Sequence, residues 1–143
     1  MKKLTASKPL FAISLCVLAL LACKLGSSSP TATFKAFFEA QKKKDVAAIK
    51  KTLSRASLAL LEKAAKAQNK TLDTGIAEGF AAGSKTEEMP EARNEKIDGD
   101  NATLEIQDTD TRKWETMYFV KEDGEWKVAL DKTMEEMLKK MIK

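Results

Sequence analysis

Apolar residues recur at helical spacing from about residue 30 to residue 80 and at alternate positions after Pro90, a change of period that predicts helices followed by a sheet. Phe34, Phe37, Phe38 and Gln41 share one face of a first helix. Ser29 is placed to cap it, and Pro30 occupies the first helical position, where a missing N–H costs nothing. Lys42-Lys43-Lys44 follow as solvated cations at the negative end of its dipole. Asp45 opens a second helix with Val46, Ile49 and Leu53 at helical spacing, and Ser54 opens a third with Leu58, Leu61 and Ala65. Between residues 69 and 89, Leu72, Ile76 and Phe80 mark a further helix face. Gly75, Gly79 and Gly83 each weaken it by about 1 kcal/mol. Glycines at this spacing read as a close-packing contact, here against the sheet, in preference to a mobile lid.

After Pro90, Asp98-Gly99-Asp100-Asn101 turns a strand ending at Ile97 into one with Ala102, Leu104 and Ile106 on one face. Residues 107 to 113 turn the chain into a strand from Trp114 to Lys121. Asp123-Gly124 tolerates the positive φ of a type I′ hairpin and returns the chain as Trp126, Val128 and Leu130. That turn sets Phe119 opposite Val128 and Met117 opposite Leu130, while Trp114, Tyr118 and Val120 point the other way. A strand apolar on both faces predicts helices on one side of the sheet and a hollow on the other. Thr133 and Glu136 have capping-box spacing for a last helix, whose Met134, Met137, Leu138 and Met141 line one side. Methionines at this spacing are expected to close the domain's own core. The alternative is an adaptable surface for a partner or the bilayer interface.

The N-terminus has another logic. Lys2, Lys3 and Lys8 precede the apolar run 10–22, broken only by Ser14, in the order of a secretory signal. Thirteen residues of helix cover roughly 20 Å, short of a bilayer core of roughly 30 Å, so the run is a cleaved signal rather than an anchor. Leu20-Leu21-Ala22-Cys23 looks like a bacterial lipobox, which implies cleavage between Ala22 and Cys23 and acylation of the Cys23 thiol. Ordinary signal cleavage after Gly26-Ser27-Ser28 is the competing reading and would leave a product starting at Ser29. Cys16 leaves with the signal, so Cys23 is the only thiol of the mature chain, and acylation disposes of it in an oxidising compartment. Residues 23–29 are then a lipidated tether spanning roughly 15 Å on average. One domain follows, from 30 to 143. Lys24, rather than an aspartate, after the cysteine resembles lipoproteins sent to an outer membrane.

Composition narrows the functional classes. Of 143 residues, 43% are apolar and 32% charged, which excludes a polytopic membrane protein and a disordered tail. The charge of +4 comes from 25 basic and 21 acidic residues, but Lys2, Lys3 and Lys8 leave with the first 22 residues, so the mature chain has 22 against 21. Nucleic acid is therefore not an expected partner. No histidine is present, no cofactor motif occurs, and neither Asp98-Gly99-Asp100 nor Asp108-Thr109-Asp110 continues into a calcium loop, so no metal is expected.

The helix order, with Phe34-Lys35-Ala36-Phe37-Phe38-Glu39-Ala40, Asp100-Asn101-Ala102-Thr103-Leu104 and the closing Lys121-Glu122-Asp123-Gly124-Glu125-Trp126-Lys127-Val128, resembles the nuclear transport factor 2-like superfamily over about residues 30 to 130. More narrowly it looks like bacterial lipoproteins with a lumazine-binding-like domain of unknown function. The resemblance implies an α+β fold: N-terminal helices packed on a bent antiparallel sheet in the form of a cone, here followed by a C-terminal helix. Enzymes of that superfamily, such as ketosteroid isomerases and polyketide cyclases, use an Asp or an Asp/His pair inside the cone. Here the work would fall to Glu105 and Glu115, which share a face if Ile106 pairs with Trp114. The expected function is a membrane-anchored, non-catalytic module that binds a small ligand or an envelope protein, with a site around Trp114 and Tyr118 and Phe80 as its lid. A self-associating scaffold with a filled cone, pairing with a second copy, is the alternative. A carboxylate enzyme ranks third.

Overall fold

A computed structural model of the chain describes residues 29–83 and 88–142. It is α+β: among the described residues, five helices and one four-stranded antiparallel sheet of order β1-β2-β3-β4. Ala22, Cys23 and the tether as far as residue 28 lie outside the described residues.

Polar caps start the first three helices where the sequence places them. The Ser29 hydroxyl accepts from the Ala32 N–H at the start of α1 (Pro30–Lys42). The Asp45 carboxylate accepts from Ala48 N–H at α2 (Val46–Thr52), and Ser54 from Ser57 N–H at α3 (Arg55–Ala67). Helix α4 (Leu72–Gly83) packs on α3, and Gly75 makes that approach close: a Cβ built on it would lie 2.9 Å from Ala65 Cβ. The glycine contact is thus between helices and not with the sheet. Gly79 has nothing within 4 Å, so it takes no part in it.

Strands β1 (Ala92–Asp98), β2 (Asn101–Gln107), β3 (Trp114–Glu122) and β4 (Glu125–Val128) follow. The β3–β4 turn has φ 51° at Asp123 and 81° at Gly124, both positive as a type I′ turn requires. Phe119 pairs with Val128 as the turn predicts, but the ladder stops there, and Leu130 begins α5 (Leu130–Met141) instead of facing Met117. Trp114 pairs with Gln107, one residue from the expected register, so Ile106 faces Glu115.

The core lies between one sheet face and the N-terminal helices. Phe34 and Phe37 of α1, Ile49 and Leu53 around α2, and Ile76 of α4 bury against Ala102, Leu104, Phe119, Trp126 and Val128. Thr33, fully buried, donates to the carbonyls of Ser29 or Trp126 at 3.1 Å and so ties the first turn of α1 to β4.

Helix α5 departs from expectation. It starts at Leu130, three residues before Thr133, has no side-chain cap, and buries none of its residues. Met134, Leu138 and Met141 are 51%, 57% and 81% exposed, so this stripe does not close the core. The physical reason is that polar pins hold the helix in place of apolar burial. Ser57 Oγ accepts from Leu130 N–H at 2.8 Å and donates to Asp131 at 2.9 Å, and Thr133 Oγ1 accepts from Tyr118 N–H. With four-residue β4 ended at Val128, the β3 edge before Phe119 has no strand neighbour on that side, and α5 occupies the place.

Candidate functional site

The short β4 and the perched α5 leave two concavities, one on each side of Thr133 and Met137. The inner one, about 310 Å³, lies between α1 and the core face of the sheet, at the end that α2 and β4 do not reach. Its apolar wall is formed by Phe34, Phe37 and Phe38 from α1, Ile106 from β2 and Met117 from β3, with Met137 of α5 at its border. These side chains arrive there by two periods. Residues 34, 37 and 38 share a helix face, and residues 106 and 117 fall on the sheet face that also carries Leu104 and Phe119. Polar groups are confined to Gln41, Gln107, Asp108, Thr109, Glu115, Thr116 and Thr133. The Asp108 carboxyl is held below its ordinary value by the backbone N–H and hydroxyl of Thr111, with a lesser contribution from the backbone N–H of Asp110. A hollow bordered equally by apolar and polar side chains suits a small amphipathic ligand whose apolar body rests on the phenylalanines.

The outer concavity, about 380 Å³, runs between α5 and the other face of β3. Trp114 and Tyr118 line it, as do Lys113, Glu115, Glu136 and Lys140, so charged groups form much of its wall. One face of the Trp114 indole is already covered, with the Arg93 guanidinium 3.7 Å from the ring centre.

The three residues expected to form one ligand site therefore separate. Trp114 and Tyr118 are together, but on the face away from the helices. Phe80 packs edge-on against Phe37, with ring centres 5.5 Å apart, and is part of the core's border instead of a lid over them. A second hollow, which the sequence did not predict, lies on the side of the N-terminal helices, between α1 and the sheet beyond Leu104. The residues of the inner hollow that the sequence did not mark as a site are Phe34, Phe37, Phe38, Ile106, Met117 and Met137. All had been assigned to apolar faces, but an apolar face carries no mark of where it fails to meet its partner.

The carboxylates separate too. With Ile106 opposite Glu115, Glu105 pairs with Thr116 and points to the outer face, so Glu105 and Glu115 do not share a face. A register shift of one residue exchanges the faces of every side chain in the strand. Arg93 and Asn94 each donate to Glu105 at 2.8 Å and hold its carboxyl below the ordinary value, the reverse of the raised pKa a general acid needs near neutrality. No protein-family model, curated protein or solved structure matches the chain.

Proposed function

We propose that the chain is a membrane-anchored lipoprotein of the bacterial envelope whose domain, a nuclear transport factor 2-like cone, is a non-catalytic binding module for a small ligand with an apolar body. The hollow between α1 and the sheet carries this reading: Phe34, Phe37, Phe38, Ile106 and Met117 border about 310 Å³ that the chain's own side chains do not fill. A scaffold with a filled cone accounts less well for that space. The anchor rests on Cys23 at the end of the apolar run 10–22, and Lys24 after it favours an outer membrane where the host has one.

Native mass spectrometry of the mature protein, extracted from its own membranes in mild detergent, tests the binding reading. A discrete small-molecule adduct is expected. Met117→Trp, which fills the hollow, removes it, and Trp114→Ala on the outer face retains it. An adduct that survives Met117→Trp and is lost with Trp114→Ala would move the site to the outer groove. The absence of any adduct would favour the scaffold.

A further inference from the structure

We propose that α5 lies in the bilayer interface, with Met134, Leu138, Met141 and Ile142 as its immersed side; the inference rests on the lipoprotein reading above. These four side chains are 51% to 85% exposed. Met134, Leu138 and Ile142 are turned away from the side of the helix that carries Thr133, Glu136 and Lys140 along the groove beside β3, and Met141 stands at the edge of that groove. So contiguous an apolar stripe on a surface helix marks an interaction site. At 12 residues the helix is roughly 18 Å long, too short to span a bilayer and suited to lie along one.

Where the tether attaches identifies the occupant as lipid. Thr33 of α1 bonds to the Trp126 carbonyl, so the end of α1 that receives the tether sits on β4, and α5 begins two residues beyond that strand. From Trp126 to Leu130 is roughly 13 Å at strand spacing. The residues from Lys24 to Ser29 reach up to roughly 20 Å when extended. An acylated Cys23 thus holds the start of α5 within one tether length of the membrane, and the stripe, which begins one turn further on at Met134, meets a high effective concentration of lipid.

The charge of α5 fixes the kind of contact. Asp131, Glu135 and Glu136 balance Lys132, Lys139 and Lys140. Lys139 is held by both Glu135 and Glu136 at 2.8 Å, and Lys132 donates to Asn101. With two of these three cations so occupied and no net charge among the six groups, the helix docks through apolar area and not through anionic headgroups.

Leu138→Cys in the full chain, matured in a bacterial host, carries the only free thiol once Cys16 is removed and Cys23 acylated. A nitroxide placed there, with the protein reconstituted in phosphatidylcholine vesicles, reports immersion by its access to oxygen and to a water-soluble nickel complex. Glu135→Cys on the polar side is the reference. The ratio of oxygen to nickel access is expected to be several-fold higher at 138 than at 135, and unchanged at high salt. Equal nickel access at the two positions, with Cys23 acylated, overturns the docking alone and returns the stripe to a protein partner. Spin–spin broadening at 138 overturns it in favour of a second copy, and a ratio that collapses at high salt overturns the apolar contact. An N-terminal peptide without acyl mass on Cys23 overturns the docking together with the lipoprotein reading.

Discussion

Two glycines one helical turn apart in α4 have opposite roles. Gly75 lets α4 approach Ala65 of α3 so closely that an added Cβ would meet another at 2.9 Å, whereas Gly79 faces open space. Gly75→Ala is therefore expected to lower stability by about 1–3 kcal/mol through overpacking. Gly79→Ala should raise it by about 1 kcal/mol, the helix propensity it gains. Thermal unfolding of the two variants checks the sign of each. The caps Ser29, Asp45 and Ser54 were legible in the sequence because a cap is local: the side chain bonds a backbone N–H two or three residues on. The glycines were only half legible. Spacing marked a close contact, but which of them meets a neighbour depends on how α3 lies against α4, and nothing local encodes that.

Among the elements, α5 and β1 are the least embedded: α5 hangs on a few polar bonds, and β1 on its ladder to β2 with side-chain bonds beside it. Ser57, fully buried, joins the start of α5 to α3 and β4 through Leu130 N–H, Asp131 and the Val128 carbonyl. Ser57→Ala leaves the part-buried Leu130 N–H and Asp131 carboxylate short of a partner, at about 1 kcal/mol, and is expected to loosen α5 before the rest of the fold. Faster hydrogen exchange confined to residues 130–141 would show it, and an exchange pattern unchanged there would contradict it. Strand β1 is exposed at every position and carries a bulge between Arg93 and Lys96. Its bonds to Glu105 give acid a specific point of attack. The folded pKa of Glu105 is lowered from 4.5, so the stability this group contributes is full above that value and is lost as pH falls through the lower folded value. Acidification below about 4.5 should thus raise exchange in β1 of the wild type. Glu105→Gln should show raised exchange already at neutral pH and little further change. Element type and order were readable from the change of period at Pro90. The orientation of the α5 stripe was not, because spacing gives the residues that share a face and not the direction in which the face points. The β2–β3 register was missed by one residue for a related reason: the turn over residues 108–113 is set by Asp108, whose carboxylate accepts from Asp110 and Thr111 N–H, and not by a two-residue hairpin signal.

For the molecule as a whole, the same cause produces the hollow and the perched helix. Strand β4 ends after four residues, so the far end of β3 lacks a strand neighbour, α5 fills that edge by polar bonds, and α1 overhangs Ile106 and Met117 without closing on them. A two-sided apolar strand in the sequence was sufficient to predict a concavity on the Trp114 face, where the outer groove lies, but it gave no mark of the second one on the side of the N-terminal helices. The central claim is that the space between α1 and the sheet receives a ligand. It is tested most directly by the NMR signals of the methionine ε-methyl groups, recorded on the mature protein as a lipid extract of its own membranes is added. Met117 borders the inner hollow and not the outer groove, Met137 borders both, Met141 borders the outer groove, and Met134 lies on the exposed stripe alone. Saturable shifts of Met117 and Met137 together are the predicted result. A Met117 signal that stays fixed at saturating extract, whatever the stripe methionines do, would contradict the account.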